Sequence, residues 1–480
     1  MEVLTNSFKF TYSVTPGSED KIEHEVFVMN DNSHLAKNIR GALFSYDFLL
    51  APDVVKKNNL PGNRVSLSHI YMLHEFQEGQ MFKYAPKLDK NSFPKPGYGR
   101  MKVAPATDCV FSEDVAAGLR MLVYEHKYPK DLLVTAWYVE KGAFYWRYSS
   151  SRSSNFAFHL GKEEENQQIL QGLQEFSDIM NSMTFDCKTG SQQKPIQNGV
   201  RLQVAGLISM EKFFIQEMKM VELLPGRFSS DCVENFFSQV RRRNRAPTPM
   251  EFKFAFKALM ILHQIKPSKY GNCSTDDDNW LTALKDIKGM QLDHIIDGDE
   301  DTREAIVICD KSVHDLGEQM GLVYAIGYTL KKTTCSEYGC DECKKYFVTD
   351  TPNLQVHRLI KEKNYAGDKI FPSEEAWKFF SFCWNSLDWN KSLFLAENVN
   401  PEAFVDKFHK TALSLLPTTI PKCCLDKLIR RFVKICLFWW GRQLTREIKS
   451  STEYKEVEEK AAFASRSMGG HFASNYGSRA

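Results

Sequence analysis

The 480-residue chain has no run of roughly 18 apolar residues, the length a helix needs to cross a bilayer. Its longest apolar stretch, Val433–Trp440, is interrupted by Lys434. The opening residues, MEVLTNSFKF, have neither a basic n-region nor an apolar h-region, so they do not read as a secretory signal. Neither sign of charge is in excess: 62 basic residues against 60 acidic ones leave a net charge of +2. A polyanion-binding function would therefore need a local basic patch. Cysteine is neither dense nor regularly spaced. The twelve cysteines are scattered, and without a secretory signal they predict reduced thiols in cytosol or nucleus. Together these absences argue against secreted, membrane-spanning and collagen-like readings. What is present is an ordinary globular composition, 43% hydrophobic and 12% aromatic, on a length that predicts about three domains.

Local patterns divide the chain. Phe8–Val14 and Glu25–Met29 are β-branched and aromatic and flank a Pro-Gly turn signal, which predicts two strands. The second strand is expected to stop at Asn30-Asp31-Asn32-Ser33 and to feed a helix over His34–Arg40, an α/β unit. Tyr84–Tyr98, rich in proline and lysine, predicts a loop. The pattern turns helical from Ser112. In Glu163–Met183, the residues Ile169, Leu170, Leu173, Phe176, Ile179, Met180 and Met183 share one face. Cys187–Gln197 reads as a polar linker and Arg201–Leu224 as a second amphipathic helix. Asp231–Val240 and Thr248–His263 predict two more helices, and residues 302–450 read as helical with loops. Beyond about residue 455, the small and polar composition predicts a disordered tail.

Four constellations have residue types suited to chemistry. Asp31, at a predicted strand end, would face the crevice where α/β sheets bind ligands. It would equally serve as a helix cap among Asn30, Asn32 and Ser33. Asp231 and Glu234 stand three apart, so both carboxylates can face one site, or form a capping box. Arg241, Arg242, Arg243 and Arg245 follow directly; this run suits a phosphate backbone, a solvated face or a nuclear import signal. Asp178 and Asn181 repeat the i,i+3 spacing on the polar side of the 163–183 helix. An Asp there can accept two N–H donors of a purine edge and an Asn can read its carbonyl; the alternative is a solvated helix face. Finally, Cys335, Cys340 and Cys343 include a C-x2-C pair of the kind that holds zinc, with His357 as a candidate fourth ligand. Cys423-Cys424 and the pair Cys383 and Cys436 read as buried apolar positions.

Taken in order, several blocks resemble the P-element transposase family, which includes the THAP-domain transposase of vertebrates. Asp31–Arg40 (DNSHLAKNIR) resembles the family's D-P-P-H-L-L-K-N-I-R-N block. Arg100–Ala104 with Val110-Phe111-Ser112 resembles K-M-K-V…V-F-S, and Phe176–Ser182 resembles F-D-x-L-N-S. Ser230–Arg241 (SDCVENFFSQVR) is the nearest match, to S-Q-D-x-L-E-N-F-F-x-x-I-R. Tyr324–Tyr328 resembles Y-x-A-G-Y. The resemblance covers roughly residues 25–375 and implies an α/β, RNase-H-like catalytic domain interrupted by a mostly helical, GTP-binding insertion.

On this resemblance, residues 1–48 hold the strand and helix of the second catalytic Asp, 49–225 the insertion, and 226–266 the returning catalytic part. A helical C-terminal region (267–455) and the tail (456–480) follow. The implied chemistry is DNA cleavage and strand transfer, in which two divalent metals, Mg2+ by family expectation, about 4 Å apart clamp the attacking and leaving oxygens. Asp31 would be the second metal-binding carboxylate and Glu234 the last. Lys102, Val103, Asp178, Asn181 and Asp231 fall on blocks associated with the guanine-nucleotide site. The implied partners are transposon-end DNA and, by self-association or pairing, a further copy or a full-length transposase; the implied location is the nucleus.

The departures matter. The family's first catalytic Asp lies on an earlier strand, yet only 30 residues precede Asp31, and Asp20 is the only other Asp among them. That first strand and the N-terminal zinc DNA-binding domain are expected to be missing. Asn32-Ser33 replaces the proline pair, and Gly41 stands where the family has asparagine. The chain thus offers two acids where the mechanism needs three. It is expected to be an inactive fragment or derivative of a transposase, or else a domesticated nucleotide-, DNA- or partner-binding protein.

Overall fold

Local chemistry sets the helix starts. Asp31 caps the helix α1 (Asn32–Ser45), accepting from the backbone N–H of Ser33 at 3.1 Å. The buried residues Leu35, Ile39 and Leu43 recur every four positions along it, so one stripe faces the core. Helices α2 (Pro52–Lys57) and α3 (Leu67–Phe76) follow. Ser112 then caps α4 (Glu113–His126), which leads into α5 (Leu132–Ser149). Helix α6 (Glu163–Ser182) starts with three glutamates at the positive end of its dipole. It buries every member of its expected apolar face except the half-buried Leu170.

The computed structural model describes residues 7–13, 21–78, 80, 82–93, 105–187, 193–230, 233–234, 236–237, 240–241, 247–263, 316–334, 340–352, 355–364, 367–390, 401–414, 420–421 and 423–450. These fall into two compact units, Met1–Glu78 with Tyr84–Leu292, and Gly79–Lys83 with Asp293–Ala480.

Strands in the first unit are few and antiparallel. Ser7–Ser13 pairs with Lys21–Phe27 in a hairpin whose register sets Phe10 opposite His24. Phe48-Leu49 lies between Arg64-Val65 and Thr184-Phe185, and Phe158-His159 pairs with Glu222-Leu223. The described residues are therefore mostly helical with small sheets, compatible with an α/β class. The core is aromatic: Phe48 meets Phe185 at 5.0 Å and Tyr138 at 5.6 Å, and Tyr145 stacks on Phe176 at 4.7 Å.

Two expectations change. The second strand ends at Phe27, so Asp31 opens a helix after a short connector rather than closing a strand. The amphipathic helix expected over Arg201–Leu224 is instead α7 (Pro195–Met210). Pro195 suits the first helical turn, where its missing N–H costs nothing. The helix widens into a π-turn at Glu211–Glu217, where Phe213 and Phe214 pack on Phe27 at 5.4 and 5.8 Å. The chain then extends into the Glu222-Leu223 strand.

Helix α8 (Pro249–His263) starts with a reciprocal cap. Glu251 accepts from the Thr248 N–H at 2.8 Å, and Thr248 accepts from the Glu251 N–H at 3.4 Å.

The second unit is helical as expected: α9 (Leu316–Thr333), α10 (Asp341–Phe347), α11 (Arg358–Glu362), α12 (Glu374–Trp389), α13 (Pro401–Ser414) and α14 (Leu425–Ser450). Its core joins Phe380 to Phe432 at 4.8 Å and Trp384 to Trp440 at 5.9 Å. Cys383 and Cys436 are buried in that core, as expected. Among the described residues, no helix is long and apolar enough to cross a membrane.

Candidate functional site

Capping uses only one oxygen of Asp31. The other, Oδ2, accepts a short hydrogen bond from the hydroxyl of Ser230 and lies 2.5 Å from His34 Nδ1. Ser230 is 199 residues further along the chain. Its carbonyl accepts the N–H groups of Val233 (2.9 Å) and Glu234 (3.0 Å), so it opens the helical turn that holds Glu234. The two carboxylate-bearing segments are thus tied together through one serine. Glu234 itself is half-buried.

The neighbouring wall carries a dense set of polar contacts. Asn32 is buried, donates to Ser149 Oγ (2.7 Å) and Ser150 Oγ, and accepts from the Tyr145 hydroxyl (3.2 Å). This pins the first turn of α1 to the end of α5. On the other side, the Gly226 N–H donates to the Ser151 carbonyl at 2.8 Å. Arg152 donates to Gly226 O at 3.3 Å and to Ser229 Oγ at 3.1 Å. Asn32, Ser150, Gln203, Gly226 and Ser229 help line a small open cleft beside Asp31, together with Met29, Pro225 and Phe228.

Burial pulls the Asp31 carboxyl upward, but the hydrogen bonds from Ser230, His34 and the Ser33 N–H hold it below the usual carboxylate range. An acid held low when folded stabilises the fold above its unfolded pKa, and the contribution is lost as pH falls through the folded value. Stability of the first unit should therefore decline below about pH 4. Ser230→Ala should lower stability at pH 7 by about 1.5–3 kcal/mol, the scale of a hydrogen bond to a charged group. It should also flatten the acid dependence. Urea unfolding between pH 7 and pH 3 measures both effects; an unchanged acid slope in Ser230→Ala would show that this bond does not set the Asp31 ionisation.

Other expected residues sit elsewhere. Asp178 is exposed on α6 and accepts from Gln174 Nε2 at 2.8 Å. Asn181 turns its amide back to the Ser177 carbonyl at 2.8 Å. Arg241 is exposed with its guanidinium 5.7 Å from the Phe237 ring centre. Lys102, Val103, Asp231, Arg242, Arg243, Arg245 and Cys335 lie outside the described residues.

His357 does not join Cys340 and Cys343; among the described residues their cluster is completed by Cys423 and Cys424. His357 is fully buried, with Nε2 at 2.8 Å from the Pro372 carbonyl. Cys423 departs from the buried apolar reading: it is exposed and gathered with Cys340, Cys343 and Cys424, whereas Cys424 is buried as expected. The local pattern around Ser230 does not announce this link, because nothing in it distinguishes the residue from a helix-cap serine.

A two-metal clamp needs more than this site provides. Among the described residues, a cluster of three or more His, Cys, Asp or Glu ligand atoms occurs at the four cysteines and not at Asp31. Asp31 Oδ2 is already shared between Ser230 and His34. The described side chains therefore do not fit a pair of Mg2+ ions.

No protein-family model matches the chain. Over 333 residues, 65% of its length, it is 23% identical to the Transposable element P transposase of Drosophila melanogaster, of which it covers 41%. It therefore spans about two fifths of that relative's length. Among solved structures, the Drosophila P element transposase strand transfer complex is similar at a TM-score of 0.41 and 20% identity, covering 49% of this chain and 52% of that one.

Proposed function

We propose, from the premise that this chain is a P-element-transposase-like protein, that its 480 residues form a DNA- and guanine-nucleotide-binding transposase derivative without strand-transfer activity of its own. In this reading, residues 1–48 and 226–266 are the two parts of a divided RNase-H-like domain, and 49–225 is the helical insertion between them.

The observation that carries the reading is the hydrogen bond from Ser230 to Asp31. A domain split by a long insertion must bring its carboxylate-bearing segments back together, and this contact supports that reunion. The non-catalytic part of the reading is supported by the lack of a third carboxylate at this contact among the described residues.

DNA is the partner best suited to the exposed Arg241 and the arginines that follow it. With a net charge of only +2, that local run must supply much of the affinity, so binding should weaken steeply as salt rises. Nuclear residence and association with a full-length transposase are part of the same proposal.

The test incubates the full chain with Mg2+ and duplexes ending in P-element-type terminal repeats. Salt-sensitive binding without nicking is expected, and Glu234→Ala should leave the pattern unchanged. Mg2+-dependent nicks that vanish in Glu234→Ala would overturn the non-catalytic reading.

A further inference from the structure

Four cysteines of the second unit, Cys340, Cys343, Cys423 and Cys424, gather from two places. Cys340 immediately precedes α10 and Cys343 sits in its first turn. Cys423 and Cys424 immediately precede the 26-residue helix α14. Folding brings these segments together across about eighty residues: Cys423 Sγ lies 3.1 Å from both Cys340 Sγ and Cys343 Sγ. All four sulfurs lie within 4.8 Å of one another.

This is more than a pair of thiols can explain. Cys423 is equidistant from two partners, and a disulfide could satisfy only one of them. Neutral thiols are weak donors and weak acceptors, so they gain little by converging. A tetrahedral zinc with Zn–S bonds of about 2.3 Å separates its sulfurs by about 3.8 Å, within the range these four atoms occupy. Cys340 Sγ also accepts hydrogen bonds from the backbone N–H groups of Glu342 and Cys343, the kind of support that a coordinated thiolate receives from its surrounding shell. Cys343 and Cys424 are buried, Cys340 is half-buried and Cys423 is exposed, so the cluster is walled on its inner side and open to ion entry on its outer side.

We infer that Cys340, Cys343, Cys423 and Cys424 form a structural, four-thiolate zinc site that clips the start of α10 to the start of α14. All-sulfur tetrahedral ligation selects zinc or an iron–sulfur centre, and four protein ligands leave no open position for catalysis. The zinc closes a loop of about eighty residues within the second unit, where it links two helices of the same core. The inference does not depend on the transposase reading.

The test uses the full chain purified under reducing conditions. Elemental analysis should find one zinc per chain. Replacement by Co2+ should give sulfur-to-cobalt charge-transfer bands with the visible bands of a tetrahedral site. Cys340→Ser and Cys423→Ser should each weaken zinc affinity at least tenfold and alter the cobalt spectrum, whereas Cys187→Ser, outside the cluster, should retain both. The wild-type cobalt spectrum is informative even if a serine variant folds poorly. A chain free of metal after purification in added zinc, with no thiolate bands on adding cobalt, would overturn the inference. So would bound iron in place of zinc, or one retained zinc in both Cys340→Ser and Cys423→Ser.

Discussion

Gly226→Ala is expected to destabilise the first unit by about 1–3 kcal/mol and to release Ser230 from Asp31. A Cβ at position 226 would stand 2.2 Å from the Ser150 carbonyl oxygen and 2.8 Å from Arg152 Cγ. The first contact is with backbone and cannot be relieved by turning a side chain. The segment must move outward, breaking the Gly226–Ser151 bond and carrying both acceptors of Arg152, Gly226 O and Ser229 Oγ, away from it. Ser230 lies four residues on, so its reach to Asp31 is lost as well. Gly41→Ala is the matched control. It lies inside α1 with nothing within 4 Å of an added Cβ, so the helix should gain about 0.5–1 kcal/mol. Urea unfolding of the two variants should move in opposite directions. Equal stability in Gly226→Ala and wild type would show that the 226–230 segment is not held against 150–152.

Asp178→Ala is expected to remove guanine-nucleotide binding almost entirely. On the proposed reading, its carboxylate takes the two N–H donors of the guanine edge. Losing hydrogen bonds to a charged group at roughly 1.5–3 kcal/mol each corresponds to on the order of 100-fold or more in affinity. The side chain is exposed on α6, where a ligand can reach it, and Gln174 donates to one of its oxygens at 2.8 Å. A nucleotide must displace that donor, so Gln174→Ala should bind at least as tightly as wild type. Isothermal calorimetry with GTP and GDP reads both outcomes. No heat with either nucleotide in the wild-type chain would remove nucleotide binding from the proposal.

Much of this molecule was legible in its sequence because the relevant chemistry is local. The apolar face of α6 follows from helical periodicity, and the start of α8 from a threonine and a glutamate three residues apart. The capping role of Asp31 follows from Asp, Asn and Ser standing together before an apolar stripe. Such signals name the buried face or the capped end. They do not name what the face or the free oxygen will meet.

Contacts between distant segments decide that. Two-residue strands such as Phe48-Leu49 are too short to show alternation, so the small sheets left no pattern to read. The π-turn at Glu211–Glu217 interrupts a stretch that looks periodic, and phenylalanines packing on Phe27 accompany it. Ser230 became the partner of Asp31, and Cys423 the partner of Cys340 and Cys343, through folding across 199 and about eighty residues. The sequence displays the carboxylates and the thiols. Only the packing of helices around a shared core determines which of them meet, because side-chain spacing encodes direction from the backbone and not the identity of the neighbour.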